Sequence, residues 1–353
     1  MTGTINFFKK ANRLADLSDI SFLSELLGPV RTIEKQLLKT SGFSGSAHEK
    51  LSLQMQNGET LSLVLKTIQP AKDMTIWRSG NIHNREALIL DTKEMAEVWN
   101  FFQPPYIGYA IEENNSALLM HDLSQYLFPD IRQPVKIEEE NLLLHTLARM
   151  HAHYWQHELL SQSWLAKQEI FFSFLGPHTA KEEKITGREH PIFEPVQNGW
   201  DLAFQFLPAE LGPFLLYPPI EKITAGLPKT LIHGDSKIAN FAMLPGKKLT
   251  AFDWTMVGSA CPACEIGWYI SVNASRLARS KEAVLSHYRE LLETELKQVL
   301  ADATWHQMID VAILTGATTL LWNKAFNLKK NIPGATEEWN WWVENIRLCK
   351  EKY

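Results

Sequence analysis

Three cysteines, Cys261, Cys264 and Cys349, are spread over 353 residues. That is too few for a disulfide framework and suits a reducing compartment. No run approaches the roughly 18 apolar residues that a membrane-spanning helix needs. The opening stretch MTGTINFFKKANRLADLSD scatters charges where a signal peptide would carry an apolar core. Surplus positive charge is lacking too: 35 Lys and Arg against 40 Asp and Glu give a net charge of −5. A surface that tracks phosphates needs the opposite balance, so nucleic acid is not the expected partner. Internal repeats, low-complexity tracts and Pro/Ser-rich linkers are missing as well. The expectation is a cytoplasmic globular protein with no membrane or nucleic-acid partner and an open oligomeric state.

What remains is an ordinary globular composition, 45% hydrophobic and 21% charged, with length enough for one large domain or two lobes. Residues 15–28 read as a short helix. VRTIEKQLLKTS, HEKLSLQMQ and NGETLSLVLKTI alternate with period two and predict a three-stranded meander over 30–68, with Asn57-Gly58 as a hairpin turn. Residues 84–102 have helical spacing, with Glu86 in the first turn, and YIGYAIEE and SALLMHDL give two more strands. This predicts an α+β chain whose N-terminal lobe is a five-stranded antiparallel sheet with one helix.

After HDLSQYLFPDIRQP (121–134) the pattern turns helical, and the boundary is placed between residues 124 and 125. A long helix opens at Pro134, with acids in its first turn. Others are predicted around 160–173, 198–207, 219–226, 263–278, 281–300, 304–328 and 335–351. The strand-like TLIHGD, NFAML and LTAFDW interrupt them.

LIHGDSKIANFAML (231–244) and AFDW (251–254) bring Asp235, Lys237, Asn240 and Asp253 to the ends of apolar runs, where charge is costly. A single HGD is an ordinary turn, since Asp and Asn bond nearby backbone. The whole spacing, H-G-D-x4-N-x12-D-W with apolar flanks, asks for more. Asn240 and Asp253 are suitable oxygen ligands for Mg²⁺. Asp235 can accept the proton of an incoming hydroxyl. Lys237 can neutralise charge on a transferred phosphoryl group.

The stretch resembles the catalytic region of the aminoglycoside phosphotransferase and choline kinase-like superfamily, relatives of the protein kinases. The resemblance runs from about residue 30 to 275, with specific motifs at five or six places. It implies a bilobal protein-kinase-like fold, with a larger, mainly helical C-lobe and ATP between the lobes. It further implies Asp235 as catalytic base, Asn240 and Asp253 as metal ligands and His233 as a structural histidine. Such enzymes need a strand-three lysine for the α- and β-phosphates and a helix glutamate to pair with it. Lys66, ending LVLK, and Glu86, in REALIL, stand where the pattern asks. TSGFSGSAHEK holds the expected phosphate flap, with Gly42, Ser44, Gly45 and Ser46. Met120 and His121 fall beside the expected purine.

Ser236 stands where the family usually carries Leu, which leaves the packing beneath the loop open. Lys237 resembles the lysine of protein serine/threonine kinases. Glu265, in EIGWYI, replaces the Asp of a D-L-A pattern and is read as structural. CPAC (261–264) lacks a second ligand pair at zinc spacing and a thioredoxin-like context, so it is read as coincidence. In EEWNWWVENI, Trp339, Trp342 and Ile346 share a helical face, normally a packing stripe. Trp322, Glu338 and Trp342 are the alternative, a cation–π site for a cationic acceptor. The function expected is ATP- and Mg²⁺-dependent phosphoryl transfer to a small-molecule hydroxyl. A pseudokinase-like nucleotide-binding module is the other reading. Aminoglycoside, choline-like amine, sugar and sterol acceptors stay open.

Overall fold

A computed structural model of the chain describes residues 8–38, 45–81, 84–129 and 131–353. They form two compact units, one from the chain up to 129 together with 239–256, the other from 130–238 and 257–353. The segment 239–256, placed in the second lobe by sequence, thus packs with the first, and the first break falls at 129.

In chain order, unit 1 begins with β1 (Lys9–Lys10), α1 (Ile20–Leu27), β2 (Val30–Leu38), β3 (Ala47–Met55) and β4 (Thr60–Ile68). It continues with α2 (Met74–Arg78), α3 (Arg85–Asp91), β5 (Tyr106–Glu112) and β6 (Asn115–His121). Unit 2 follows with α4 (Ile137–His153), β7 (Ala166–Lys167), α5 (Ile170–Ser173) and α6 (Thr179–Thr186). Next come α7 (Phe193–Phe206), α8 (Gly212–Leu216), α9 (Ile220–Thr224) and β8 (Thr230–Ile232). The chain returns to unit 1 for β9 (Phe241–Leu244) and β10 (Lys248–Ala251). It ends in unit 2 with β11 (Gly258–Ala260), α10 (Pro262–Val272), α11 (Lys281–Leu296), α12 (Asp302–Lys329) and α13 (Ala335–Lys350).

The α+β reading stands, with one correction to the sheet. It has six strands in the order β1-β5-β6-β4-β3-β2, because Lys9–Lys10 pairs in parallel with Gly108 and Tyr109 on the edge of β5. Two residues are too short to show a period, so nothing in the sequence announced them. The other five strands are antiparallel. On β4, Leu63 and Leu65 join a core with Leu51, Leu53, Leu119 and, from the preceding segment, Leu17 and Leu23. Alternation then turns Ser62, Val64 and Lys66 to the other face. That parity turns the lysine away from the apolar core and toward Glu86 and Asp253.

The helix expected over 84–102 is two pieces. α3 ends at Asp91, Thr92 is extended, and a 3₁₀ turn covers Lys93–Asn100. Asp and Thr are poor helix formers, and Thr92 serves as the cap of both. The helix expected over 160–173 shrinks to a 3₁₀ turn (Glu158–Ser161) and α5, because the backbone of Ala166–Lys167 pairs instead with β11. α2, α6 and α8 are helices that the sequence reading did not place. No described helix is long and apolar enough to cross a membrane.

Candidate active site

In unit 1, the Lys66 ammonium donates to Glu86 Oε2 at 2.6 Å and to Asp253 Oδ1 at 2.8 Å. Three stretches of chain meet here: the end of β4, the first turn of α3, and the turn after β10. Glu86 is fully buried, which a carboxylate tolerates only when its oxygens are bonded. Its Oε1 accepts from the Tyr106 hydroxyl at 2.8 Å and from the Asp253 backbone N–H at 3.1 Å. Burial works against the Lys66 charge, but Asp253 and then Glu86 outweigh it and raise its pKa above the ordinary lysine value. Lys66 is therefore a fixed cation. The neighbouring His48, opposite Lys66 on β3, is driven down to about 4 by burial and then by the Lys66 charge, so it is neutral at physiological pH.

Asp253 differs from its partners in two ways. Its side chain is 33% exposed, against 5% for Lys66 and none for Glu86. Its φ is +64°, a left-handed conformation that Asp tolerates better than most residues, at a cost on the order of 1–2 kcal/mol. Such strain persists where the surroundings over-determine it, which is common at functional sites. Thr255 Oγ1 also donates to Oδ1, at 2.9 Å. Asn240, buried, is tied to the same turn: its carbonyl accepts from the Phe252 N–H at 3.1 Å.

Asp235 lies in unit 2, half-buried, and its Oδ1 accepts from the Trp268 indole at 2.8 Å. Its loop is held from below by α10. Glu265, fully buried, accepts from the His233 N–H and the Gly234 N–H, both at 3.0 Å, and pairs with His151 at 2.9 Å. The His151 contacts, backed by His233, outweigh burial and hold the Glu265 carboxyl below its ordinary range. Gly234 takes φ +81°, which a β-carbon would strain, so glycine is needed between His233 and Asp235. Asn273, just past α10, donates to the Ser236 carbonyl at 3.1 Å and accepts from the Ile238 N–H at 2.9 Å. Ser236 is itself buried and bonds the Glu265 carbonyl. The space under the loop is filled by hydrogen bonds instead of a leucine. Lys237 is exposed.

The structure thus joins Lys66, Glu86 and Asp253 directly and puts Asn240 on the same unit. Gly42 and Ser44 lie outside the described residues. Gly45 is described: a β-carbon there would meet the Lys72 carbonyl oxygen at 1.9 Å, so glycine lets two backbones approach. Ser46 Oγ donates to Asp73, the N-cap of α2, at 3.1 Å. His121 lines a cavity of about 510 Å³ in unit 1, with Ser62, Asp122, Tyr126 and Thr250. Met120 is buried and does not line it.

Sequence reasoning missed Tyr106, Trp268, Asn273 and His151 as partners. The lone acid in the apolar run PACEIGWYISV was the available signal, since a buried carboxylate demands donors. For Tyr106 there was none. Cys261 and Cys264 are buried thiols, and burial pushes Cys261 up to about 12, so neither is poised as a thiolate.

For the C-terminal helices the packing reading stands, and the cationic-acceptor alternative does not. Glu338 is already bonded by Lys281 and by Lys324, the latter at 2.9 Å, and by the Trp342 indole at 2.8 Å. Lys281 also sits 4.7 Å from the centre of the Trp341 ring. Trp342 is fully buried and Trp322 nearly so, with its indole bonded to the Thr319 carbonyl. The protein's own lysines occupy the positions a bound cation would take.

No family model matches the chain, and no curated protein matches its sequence. Among solved structures it is similar to a choline kinase from Streptococcus pneumoniae, at 12% identity and a TM-score of 0.44, over 93% of this chain and 96% of that one. It is similar to an ethanolamine kinase from Plasmodium vivax, at 13% identity and 0.44, over 90% and 81%. A third is a spectinomycin phosphotransferase in complex with ADP and spectinomycin, at 11% identity and 0.46, over 94% and 92%.

Proposed function

We propose that the chain is an ATP- and Mg²⁺-dependent phosphotransferase that moves the γ-phosphoryl group to a hydroxyl of a small molecule. The observation that carries this reading is the bonded set Lys66–Glu86–Asp253, in which a buried, permanently charged ammonium is aimed by one sealed carboxylate at another that reaches solvent. A purely structural ion pair needs no such exposed third member.

The donors suit a hard cation. Mg²⁺ takes oxygen ligands, commonly one or two carboxylates with phosphate oxygens and waters completing the shell. Asp253 with the Asn240 amide is such a set. No group of three or more His, Cys, Asp or Glu able to hold a metal occurs among the described residues, so a metal here would draw on substrate oxygens. When bound it would supply neutralisation of phosphate charge.

Lys66 would hold the α- and β-phosphate oxygens, with Glu86 fixing its direction. Ser62 and Lys66 share one face of β4 and are about 13–14 Å apart along the strand. The cavity beside Ser62 and His121 would take the purine. Gly45 and Ser46 would lie beside the phosphates. Asp235, oriented by the Trp268 indole, would take the acceptor's proton as that oxygen bonds to the γ-phosphorus. The bond from this phosphorus to the β–γ bridging oxygen breaks, and ADP leaves with the electron pair. Lys237 would offset charge on the transferred group.

The test is ADP release from purified protein with Mg–ATP across a library of hydroxylated small molecules, with the phosphorylated product identified by mass spectrometry. Acceptor-dependent release that stops on chelation is expected. ADP release that no acceptor changes would overturn the reading, and nucleotide binding without any release would point to a non-catalytic module.

A further inference from the structure

Unit 2 holds a cavity of about 660 Å³ between the end of α10, the second half of α12 and the start of α13. Its ionisable lining is Arg132, Lys324 and Glu338, and among the described residues no aromatic side chain lines it. Two independent links tie it to the Asp235 loop. Trp268, whose indole holds Asp235, and Val272, which lines the cavity, are four residues apart on α10. They are its only residues that are not buried, and side chains at that spacing share a helix face. Asn273 clamps the backbone of Ser236 and Ile238, while the next two residues, Ala274 and Ser275, form cavity wall. The cavity therefore opens about one helical turn from the indole that positions Asp235.

Its charge runs opposite to a cation site. Lys324 is only 7% exposed. Its ammonium donates to the Ser271 carbonyl at 2.7 Å and pairs with Glu338 at 2.9 Å. Of its three N–H donors, these use two among the described residues, and the third is open to a ligand. Glu338 cannot balance Lys324 alone, because it is shared with Lys281. In line with this, burial outweighs Glu338 and leaves the Lys324 pKa below its ordinary value. Exposed Arg132 adds a second cation at the rim. An amine entering here would meet uncompensated positive charge, whereas an oxyanion would meet a desolvated ammonium and a guanidinium.

Resting on the transfer reading above, we infer that this cavity receives the acceptor, and that the acceptor is a hydroxylated molecule carrying an oxyanion, a carboxylate or a phosphate ester, rather than an amine.

One sugar skeleton in four charge states tests this: glucuronate, glucose 6-phosphate, glucose and glucosamine. Binding is read by saturation-transfer NMR without nucleotide, and turnover by acceptor-dependent ADP release. We expect glucuronate or glucose 6-phosphate to bind roughly tenfold or more tightly than glucosamine, with glucose between, and the better of the two anions to identify the oxyanion. Lys324→Met should erase that preference. Arg132→Ala, at an exposed position where folding is not at stake, should reduce it about threefold or more. Glucosamine binding as well as the anions, or none of the four binding, overturns the inference. Anion-selective binding without ADP release from any of the four would leave the cavity assignment standing and count against the transfer reading. ADP release with glucosamine preferred would do the reverse.

Discussion

Lys66, Glu86 and Asp253 in unit 1 and His151, Glu265 and the His233–Gly234 backbone in unit 2 are both buried polar clusters built around a sealed carboxylate and assembled from distant parts of the chain. In unit 2 the bonded side chains of His151 and Glu265 are both wholly sealed. Every described bond to the Glu265 carboxylate comes from His151 or from the loop it supports. In unit 1 the sealed pair is Lys66 with Glu86, and a third member, Asp253, is one-third exposed. A closed cluster shapes a loop. An open one can exchange a protein partner for a ligand. Burial alone does not separate these roles; the exposure of the last member does.

That contrast can be broken by substitution. Glu265→Ala should have the largest effect, since it leaves the His151 Nε2 and two backbone N–H groups without their partner, with a loss of about 3–5 kcal/mol in urea unfolding. Any fall in turnover should then follow the fraction folded. A specific loss of activity in a fully stable variant would mean that the unit 2 cluster is not purely supporting.

Lys66→Met should lower turnover by about 10²–10³ in the folded fraction and weaken ATP binding there, as measured by titration. Nucleotide affinity unchanged in the folded fraction would erase the distinction. Tyr106→Phe removes one hydrogen bond to buried Glu86 and should cost about 1.5–3 kcal/mol of stability, with ATP affinity nearly unchanged.

Acid and alkali should act on different clusters, as the smallest of these effects. The Glu265 pKa is depressed in the folded chain, so its contribution is present above the ordinary value of 4.5 and fades as pH falls through the folded pKa. The Lys66 pKa is raised, so its contribution is complete below 10.5 and fades as pH climbs beyond. In Tm against pH, Glu265→Ala should flatten the acid limb and Lys66→Met the alkaline limb. The same flattening in both variants would contradict the assignment.

How much of this was readable beforehand follows from the reach of each signal. Periodicity located β2 to β6 because each runs seven to nine residues, long enough for an alternation to register. β1 and β7, two residues each, owe their existence to a partner strand that no local pattern names. Lys66 and Glu86 were legible only jointly with the distant H-G-D-x4-N-x12-D-W spacing, since either alone resembles a solvated charge. Their burial and the Tyr106 bond are tertiary facts. For the C-terminal tryptophans the packing reading was legible, but not what surrounds Glu338. Helical spacing identified their shared face, but not that Lys281 and Lys324 reach Glu338 from other helices.

The central claim is that Asp235 accepts the acceptor's proton while Lys66 and Asp253 manage the phosphates. Its most direct measurement is Asp235→Asn, with turnover and ATP affinity determined on the same preparation. The account predicts a fall in turnover of about 10²–10⁴, with the ATP Kd within about twofold of the parent and the urea midpoint unchanged. Turnover equal to that of the parent chain would contradict it.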